Sequence, residues 1–243
     1  MAEAARREDW PRTIAEFQAW HARQPERWEF IDGQPRLMAP ASMKHSIIKA
    51  NAFAALHGAL AGTPCTALVD GPQILTDEIS AIPDVVVTCS AIDLSTPVIA
   101  EPVIIVEVMS PSSEADDAGR KWFSYRKIPS LKHYLVLSQE QRVVQVHSRS
   151  GDLWRERFIS TGLIELDDPP VRLDVDAIVY GALNLLNGRK LEVELRELKR
   201  RLPLAPEHEK PALTVQVNVL SRRLSELKPG RWPVINQGGR LGS

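Results

Sequence analysis

One carboxylate interrupts the most apolar β-branched run of the chain. Glu107 lies within residues 103–109, which read VIIVEVM. Apolar residues at successive positions predict a strand that is covered on both faces. A carboxylate there carries a large desolvation penalty unless it is paired, hydrogen-bonded or bound to a metal, so Glu107 is a candidate functional residue. The alternative is a glutamate at a strand end that already reaches solvent, because Ser110 and Pro111 follow.

A second carboxylate opens another apolar strand. Asp84 follows Pro83 and precedes the valines of residues 85–87. By itself this pattern is equally typical of a turn-forming aspartate after a proline. If the two strand ends are neighbours, however, Asp84 and Glu107 form a pair of hard oxygen ligands, which suits Mg²⁺ or Mn²⁺.

A lysine and a tyrosine follow on a predicted helix, residues 113–127. Asp117, Lys121 and Tyr125 are spaced four residues apart, so they lie on nearly one helix face. The simplest interpretation is an ion pair with a tyrosine packed below it. The functional interpretation brings Lys121 near the carboxylates, where its ammonium orients a water or stabilises charge that forms on a phosphate. Two acids, a metal and a lysine together suit hydrolysis of a phosphodiester.

The order of these motifs resembles that of the Uma-two family of restriction-endonuclease-like proteins, within the PD-(D/E)XK nuclease superfamily. The matching motifs are P-D-V-V-V, V-E-V-M-S-P-S-S, D-(x3)-K-(x3)-Y and H-Y-L-V-L, with W-E-F-I-D-G and K-H-S-I-I-K before them. The resemblance covers about residues 10–185. It implies an α/β fold, a restriction-endonuclease-like mixed β-sheet flanked by helices.

The resemblance also implies roles for particular residues. Asp84 and Glu107 correspond to the metal-binding acids, with Mg²⁺ or Mn²⁺ as the cofactor. In the superfamily pattern a lysine follows the second acid by two residues, but that position is Met109 here. Lys121 is the substitute that the family's helix offers.

Two further residues are placed near the site by the same resemblance. Glu29 matches an N-terminal acid of the family. His45, at the start of a long helix, either contacts substrate or caps the helix, and the capping interpretation is slightly favoured. Asp117 and Tyr125 remain additional candidates on the helix of Lys121.

The expected activity is metal-dependent endonucleolytic hydrolysis of DNA. The alternative is a catalytically inactive nuclease-like fold that binds nucleic acid or a protein partner. Two features keep that alternative open: Met109 stands where a lysine is expected, and residues 1–188 carry a net charge of −7. DNA binding normally needs clustered Lys and Arg. DNA is the expected partner, and a homodimer is a further hypothesis.

Charge and pattern divide the chain into a nuclease-like domain, residues 1–188, and a basic appendage, residues 189–243. The appendage carries a net charge of +6. This charge indicates either a tail for a polyanion or an ordinary solvated helix, and the second interpretation is favoured. The appendage is predicted to pack back on the domain or to mediate assembly.

Composition limits the remaining classes. Of the 243 residues 44% are apolar, enough for a sizeable core. The two cysteines, Cys65 and Cys89, argue against a disulfide scaffold or a zinc ribbon and favour a reducing compartment. The charged N-terminal residues and the lack of a long apolar run predict a cytoplasmic protein without a membrane span. Sequence motifs of nucleotide-binding loops, serine hydrolases and zinc proteases are absent.

Periodicity predicts the elements that position these residues. Thr13 and Glu16 form a capping-box pattern for a first helix, and Asp32-Gly33 predicts a hairpin turn. A helix is expected at residues 42–60, with Ala54 among its inward residues, and a short one at 175–186. Strands are expected for CTALVD, PDVVVT, VIIVEVM, HYLVLS and RVVQVHS, and around residues 154–159 and 171–173.

The remaining predictions concern packing and the appendage. Trp122 and Phe123 are predicted to belong to the core rather than to a binding site. Leucines at residues 191, 195, 198 and 202 form one helical stripe. Residues 213–220, LTVQVNVL, alternate like a strand, and a helical leucine repeat follows.

Overall fold

The protein divides into two compact units in a computed structural model that describes residues 10–109, 117–141 and 143–226. The first unit comprises residues 1–182 and the second residues 183–243. The boundary predicted from charge, after residue 188, lies six residues further along, inside a continuous helix. Among the described residues, no helix combines the length and hydropathy that a bilayer crossing requires.

Helices flank the sheets of the first unit, and the second unit consists of helices. The helices are α1 (Ile14–His21), α2 (Met43–Ala59), α3 (Asp117–Tyr125), α4 (Gly181–Arg201) and α5 (Lys210–Glu226). The strands are β1 (Trp28–Ile31), β2 (Gln34–Leu37), β3 (Thr66–Val69), β4 (Ile74–Leu75), β5 (Ser80–Ala81), β6 (Val85–Thr88), β7 (Pro102–Met109), β8 (His133–Ser138), β9 (Val144–Ser150), β10 (Leu153–Ile159), β11 (Leu163–Asp167) and β12 (Pro170–Asp174).

The main sheet is mixed, as the sequence predicts. Its strand order is β10-β9-β8-β7-β6-β3, and β7 pairs with β8 in parallel while the other pairs are antiparallel. The parallel pair requires a crossover, and α3 lies within that connection. A smaller sheet has the order β2-β1-β5-β4, and β11 and β12 form a separate ribbon.

Local sequence signals explain how the first elements form. The Thr13 side chain accepts a hydrogen bond from the Glu16 N–H while Glu16 reaches back to the Thr13 backbone, which is the predicted capping box. Between β1 and β2, Asp32 and Gly33 have φ values of 53° and 69°. Positive φ at both central residues matches the twist of a two-residue hairpin, so this prediction is confirmed.

The core covers β7 on both faces. Ile105 belongs to a buried cluster that includes Tyr125 of α3 and Tyr134 of β8. Ile104 and Val106 alternate to the opposite face and are fully buried. Helix α2 packs on β3, β6 and β7 through a stripe of buried residues, Ile48, Ala52 and Leu56.

Two of the predicted core positions are wrong. Phe123 is 57% exposed, because it lies on the side of α3 away from the cluster, beneath the guanidinium of Arg126. Trp122 is partly buried and stacks on Tyr134, as predicted. On α2, Ala54 is exposed, since the buried residues follow a spacing of four that leaves it outside.

The short helix predicted at residues 175–186 does not end there. A π-helical turn, Asp176–Tyr180, leads directly into α4, which runs to Arg201. In the second unit, α4 and α5 pack through Leu195, Val217 and Leu220 with partly buried leucines around them.

The prediction of a strand at residues 213–220 is wrong. These residues lie in α5, where Leu213, Val217, Leu220 and Leu224 are spaced by four, three and four residues. That spacing places them on one helical face, and packing of this face on α4 outweighs the β propensity of the alternating valines.

Cys65 and Cys89 form a disulfide, although the sequence argued against a disulfide scaffold. The register explains the pairing: Thr66 of β3 lies opposite Thr88 of β6, so the residues just outside the two strands face each other. The bridge ties the edge strand β3 to β6, whose opposite end begins beside Asp84.

Reduction of this bridge is expected to destabilise the first unit. The cysteines are 24 residues apart, and loss of a cross-link that closes a loop of that size lowers the free energy of unfolding by roughly 3 kcal/mol. Urea unfolding with and without dithiothreitol measures the change, and a Cys65→Ser/Cys89→Ser variant serves as the control that reductant does not affect. Coincident wild-type unfolding curves in both buffers would contradict the bridge.

Candidate active site

One of the two acids predicted as metal ligands lies on a strand, and the other lies immediately before the neighbouring strand. Glu107 is on β7, and Asp84 directly precedes β6, whose first residue, Val85, pairs with Val106 of β7. Asp84 is also tied to β7 directly, because its Oδ2 accepts a hydrogen bond of 2.8 Å from the Val108 N–H.

Lys121 of α3 joins Glu107 to an acid of the smaller sheet. Its Nζ lies 3.2 Å from Glu107 Oε1 and 2.9 Å from Glu29 Oε1. Glu29, on β1, also accepts a hydrogen bond of 2.8 Å from the Ile82 N–H. The Tyr125 hydroxyl, one turn after Lys121, donates to Glu107 Oε1 at 3.2 Å. The structure therefore brings together Glu29, Glu107, Lys121 and Tyr125.

Burial dominates the electrostatics of this group. Glu107 is only 6% exposed, and burial raises its pKa to about 8, with Asp84 and Glu29 adding to the rise and Lys121 opposing it. Burial also disfavours the charge on Lys121, but the Glu107 and Glu29 carboxylates outweigh it and raise the pKa of the ammonium. Burial, followed by the same carboxylates, raises the pKa of Tyr125 well above its usual value. Lys121 is a cation and Tyr125 a neutral donor at pH 7.

His45 contacts Asp84 rather than capping α2. The helix is capped by Ser42, whose side chain accepts a hydrogen bond from the His45 N–H. The imidazole Nε2 of His45 lies 3.2 Å from Asp84 Oδ2. The favoured capping interpretation is therefore wrong, because the smaller Ser42 side chain occupies the N-cap position and leaves the imidazole to reach the strand end.

The sequence analysis did not identify Lys49 and Asp70 as parts of this site. Lys49 Nζ lies 2.6 Å from Asp70 Oδ1 and 3.9 Å from Asp84 Oδ1. Arg27 approaches the same Asp70 oxygen at 3.9 Å. The available signal was helical spacing, since Lys49 follows His45 by four residues and shares its face of α2.

One predicted residue falls outside what the structure describes. Helix α3 begins at Asp117, but the side chain of Asp117 and residues 110–116, where the predicted helix starts, lie outside the described part. The predicted common face of Lys121 and Tyr125 is confirmed, because both contact Glu107.

The donor set of the acid pair fits one hard cation. Mg²⁺ is usually held by one or two carboxylates and retains several waters, so Asp84 and Glu107 would be enough protein ligands for it. In the described ranges, no group of three or more His, Cys, Asp or Glu side chains is arranged to hold a metal ion. A cation here would therefore depend on two carboxylates and water, and the raised pKa of Glu107 means that it competes with a proton.

The mixed sheet flanked by helices is the fold of a restriction-endonuclease-like α/β protein. The model of the Uma2 (Uma-two) family, described as "Putative restriction endonuclease", matches residues 14–176. That match spans more than half of the chain, and the chain belongs to this family.

Similar proteins support the assignment. An uncharacterised protein of Synechocystis sp., slr1290, is 32% identical over 171 residues, which cover 68% of this chain and 90% of that protein. A second one from the same organism, sll1609, is 28% identical over 145 residues, 58% of this chain and 82% of its own length. A crystal structure from Anabaena variabilis, titled a putative nuclease belonging to DUF820, superposes with a TM-score of 0.60 at 16% identity. It covers 71% of this chain and 99% of that one, a likeness of fold.

Removal of the Glu107 charge is expected to stabilise the protein at high pH. The carboxyl holds its proton up to about pH 8 in the folded state but only to about 4.5 when unfolded. Its contribution to stability is therefore fully present below about pH 4.5 and is lost as the pH rises through 8. Relative to wild type, Glu107→Gln should gain roughly 2–4 kcal/mol between pH 5 and pH 9.

Urea unfolding in EDTA at a series of pH values measures this difference. Glu101→Gln, a substitution just before the start of the same strand, is the matched control. Parallel stability profiles for wild type and Glu107→Gln would show that burial does not perturb this carboxyl.

Proposed function

We propose that this protein is a metal-dependent endonuclease that hydrolyses phosphodiester bonds of DNA. The observation that carries the proposal is the convergence at Glu107. Its carboxylate lies 3.2 Å from the Lys121 ammonium, and Asp84, which accepts a hydrogen bond from the Val108 N–H of the same strand, is close enough to help raise the pKa of Glu107. Membership of a restriction-endonuclease-like family supports nuclease chemistry in general and makes DNA the first substrate to test.

In this proposal each side chain has a distinct role. Asp84 and Glu107 hold the divalent cation, and a bound Mg²⁺ activates a water and offsets charge on the reacting phosphate. Lys121 places a positive charge beside the acids, where it orients the attacking water or stabilises negative charge in the transition state. Glu29 keeps that ammonium in position through its 2.9 Å contact.

Tyr125 and His45 position the two acids. The Tyr125 hydroxyl donates to the Glu107 oxygen that also contacts Lys121, which leaves Glu107 Oε2 for the cation. His45 and the Val108 N–H both contact Asp84 Oδ2, which leaves Asp84 Oδ1 beside Lys49. One oxygen of each acid thus fixes the carboxylate, and the other can serve as a ligand.

Nuclease activity is expected to depend on the acids and on the buried lysine. Supercoiled plasmid should be cut by the wild type with Mg²⁺ or Mn²⁺ but not with EDTA. Asp84→Asn, Glu107→Gln and Lys121→Met should each lower the cleavage rate at least ~100-fold, since metal and charge stabilisation contribute several kcal/mol to the transition state.

Glu101→Gln controls for loss of an acid on the approach to the same strand and should cut like the wild type. Equal cleavage by the wild type and all three site variants would point to a contaminating nuclease. A wild type that binds DNA without cutting it would favour the inactive, binding-only alternative.

Cation binding can be measured apart from turnover. Mn²⁺ that binds only the folded state raises the free energy of unfolding by about 2.7 kcal/mol at one hundred times its dissociation constant. Thermal unfolding of the wild type should therefore shift upward with Mn²⁺, whereas that of Asp84→Asn should not. An equal shift in both proteins would place the cation somewhere other than Asp84.

A further inference from the structure

A second lysine, Lys49, approaches the other acid of the pair, Asp84. Lys121 lies between Glu107 and a third acid, Glu29, and Lys49 lies between Asp84 and a fourth acid, Asp70. We call Glu29 and Asp70 the outer acids, and each lysine with its outer acid a couple. The superfamily pattern uses one lysine near the acids, and Lys49, the last residue of the K-H-S-I-I-K motif, has no role assigned by that pattern. A role for this second couple has to be argued from its own contacts.

The two couples differ in the solvent exposure of their outer acids. The side chain of Glu29 is 8% exposed, and that of Asp70 is 53% exposed, whereas both lysine side chains are nearly buried, at 11% for Lys121 and 12% for Lys49. Asp70 follows β3 with φ of 54°, a conformation that aspartate tolerates at turns.

An ammonium with one exposed partner can exchange that partner for another anion. The Asp70 carboxylate is solvated, so its ion pair with Lys49 contributes little free energy and can be replaced by a phosphate oxygen. Lysine is suited to the exchange, because its ammonium is a compact charge on a flexible stem. Lys121 lacks this freedom, since both of its acids are buried.

We propose that Lys49 binds a backbone phosphate of the DNA strand held at Asp84, and that Asp70 occupies Lys49 until the strand arrives. The proposal rests on the proposed nuclease function and names a substrate-binding residue for it. The 3.9 Å between Lys49 Nζ and Asp84 Oδ1 puts the bound phosphate next to the acid pair. The competing explanation is that the couple only ties α2 to the end of β3.

Binding of a fluorescent DNA duplex in EDTA separates these explanations. Lys49→Met should raise the dissociation constant about 10-fold and reduce the slope of log affinity against log salt by about 1, the effect of one lost phosphate contact. Lys49→Arg should retain most of the affinity. Asp70→Asn should tighten binding about 2- to 5-fold, because the lysine no longer has to exchange a carboxylate.

Lys132→Met is the matched control. Lys132 pairs with one exposed acid, Asp168, at 3.7 Å, and it lies at the opposite end of β7 from Glu107, where its N–H donates to Val103. This variant should bind DNA with the affinity and salt slope of the wild type. Thermal unfolding of each variant checks that the fold is intact.

Two results would overturn the assignment of Lys49. One is a wild-type affinity and salt slope for Lys49→Met. The other is an equal loss of DNA affinity in Lys49→Met and Asp70→Asn, as expected if the ion pair only holds α2 against the end of β3. In either case, cleavage by the wild type would leave the proposed nuclease function standing. A wild type that neither binds nor cuts DNA would remove that function and this inference together.

Discussion

The buried ammonium of Lys121 is the interaction on which the candidate site depends. Taken out of water alone, such a charge costs several kcal/mol, and the cost is offset only when the acids beside it keep their geometry. Glu29 and Glu107 provide that geometry from two different sheets. The two contacts of Lys121 therefore join β7 and the nearby α3 to β1, which lies much earlier in the chain.

The same part of the site places a carboxyl group where its charge is unfavourable. Glu29 and Glu107 both contact Lys121, and burial, with added repulsion from Asp84 and Glu29, raises the pKa of Glu107. Such an arrangement reduces the stability of the fold at neutral pH. Residues that lower stability in this way are typical of functional sites. A divalent cation beside Asp84 and Glu107 would favour the charged form of Glu107, which is the physical argument for the proposed chemistry.

Much of the fold and part of the candidate site can be predicted from the sequence, because local sequence signals determine them. The β-branched run around Glu107 and the capping box at Thr13 are local signals, and local structure follows them. The strand expected at residues 213–220 failed because propensity is a weak prior against helix packing in α5. The Lys49–Asp70 ion pair was missed because it depends on the packing of α2 against β3, a tertiary contact that no local pattern reports.

The position of the lysine on a helix, rather than on the strand, changes what the site depends on. A lysine at the position of Met109 would share the strand and the sheet face of Glu107, so the strand alone would set its distance. Lys121 reaches Glu107 only while α3 is docked. That docking is held by the buried Tyr125 and, beyond it, by the contacts of Ser124 and Lys127 with Glu78. The charge balance of the acids therefore depends on packing at the far end of α3, and loosening this helix would withdraw the ammonium while leaving both strand acids in place.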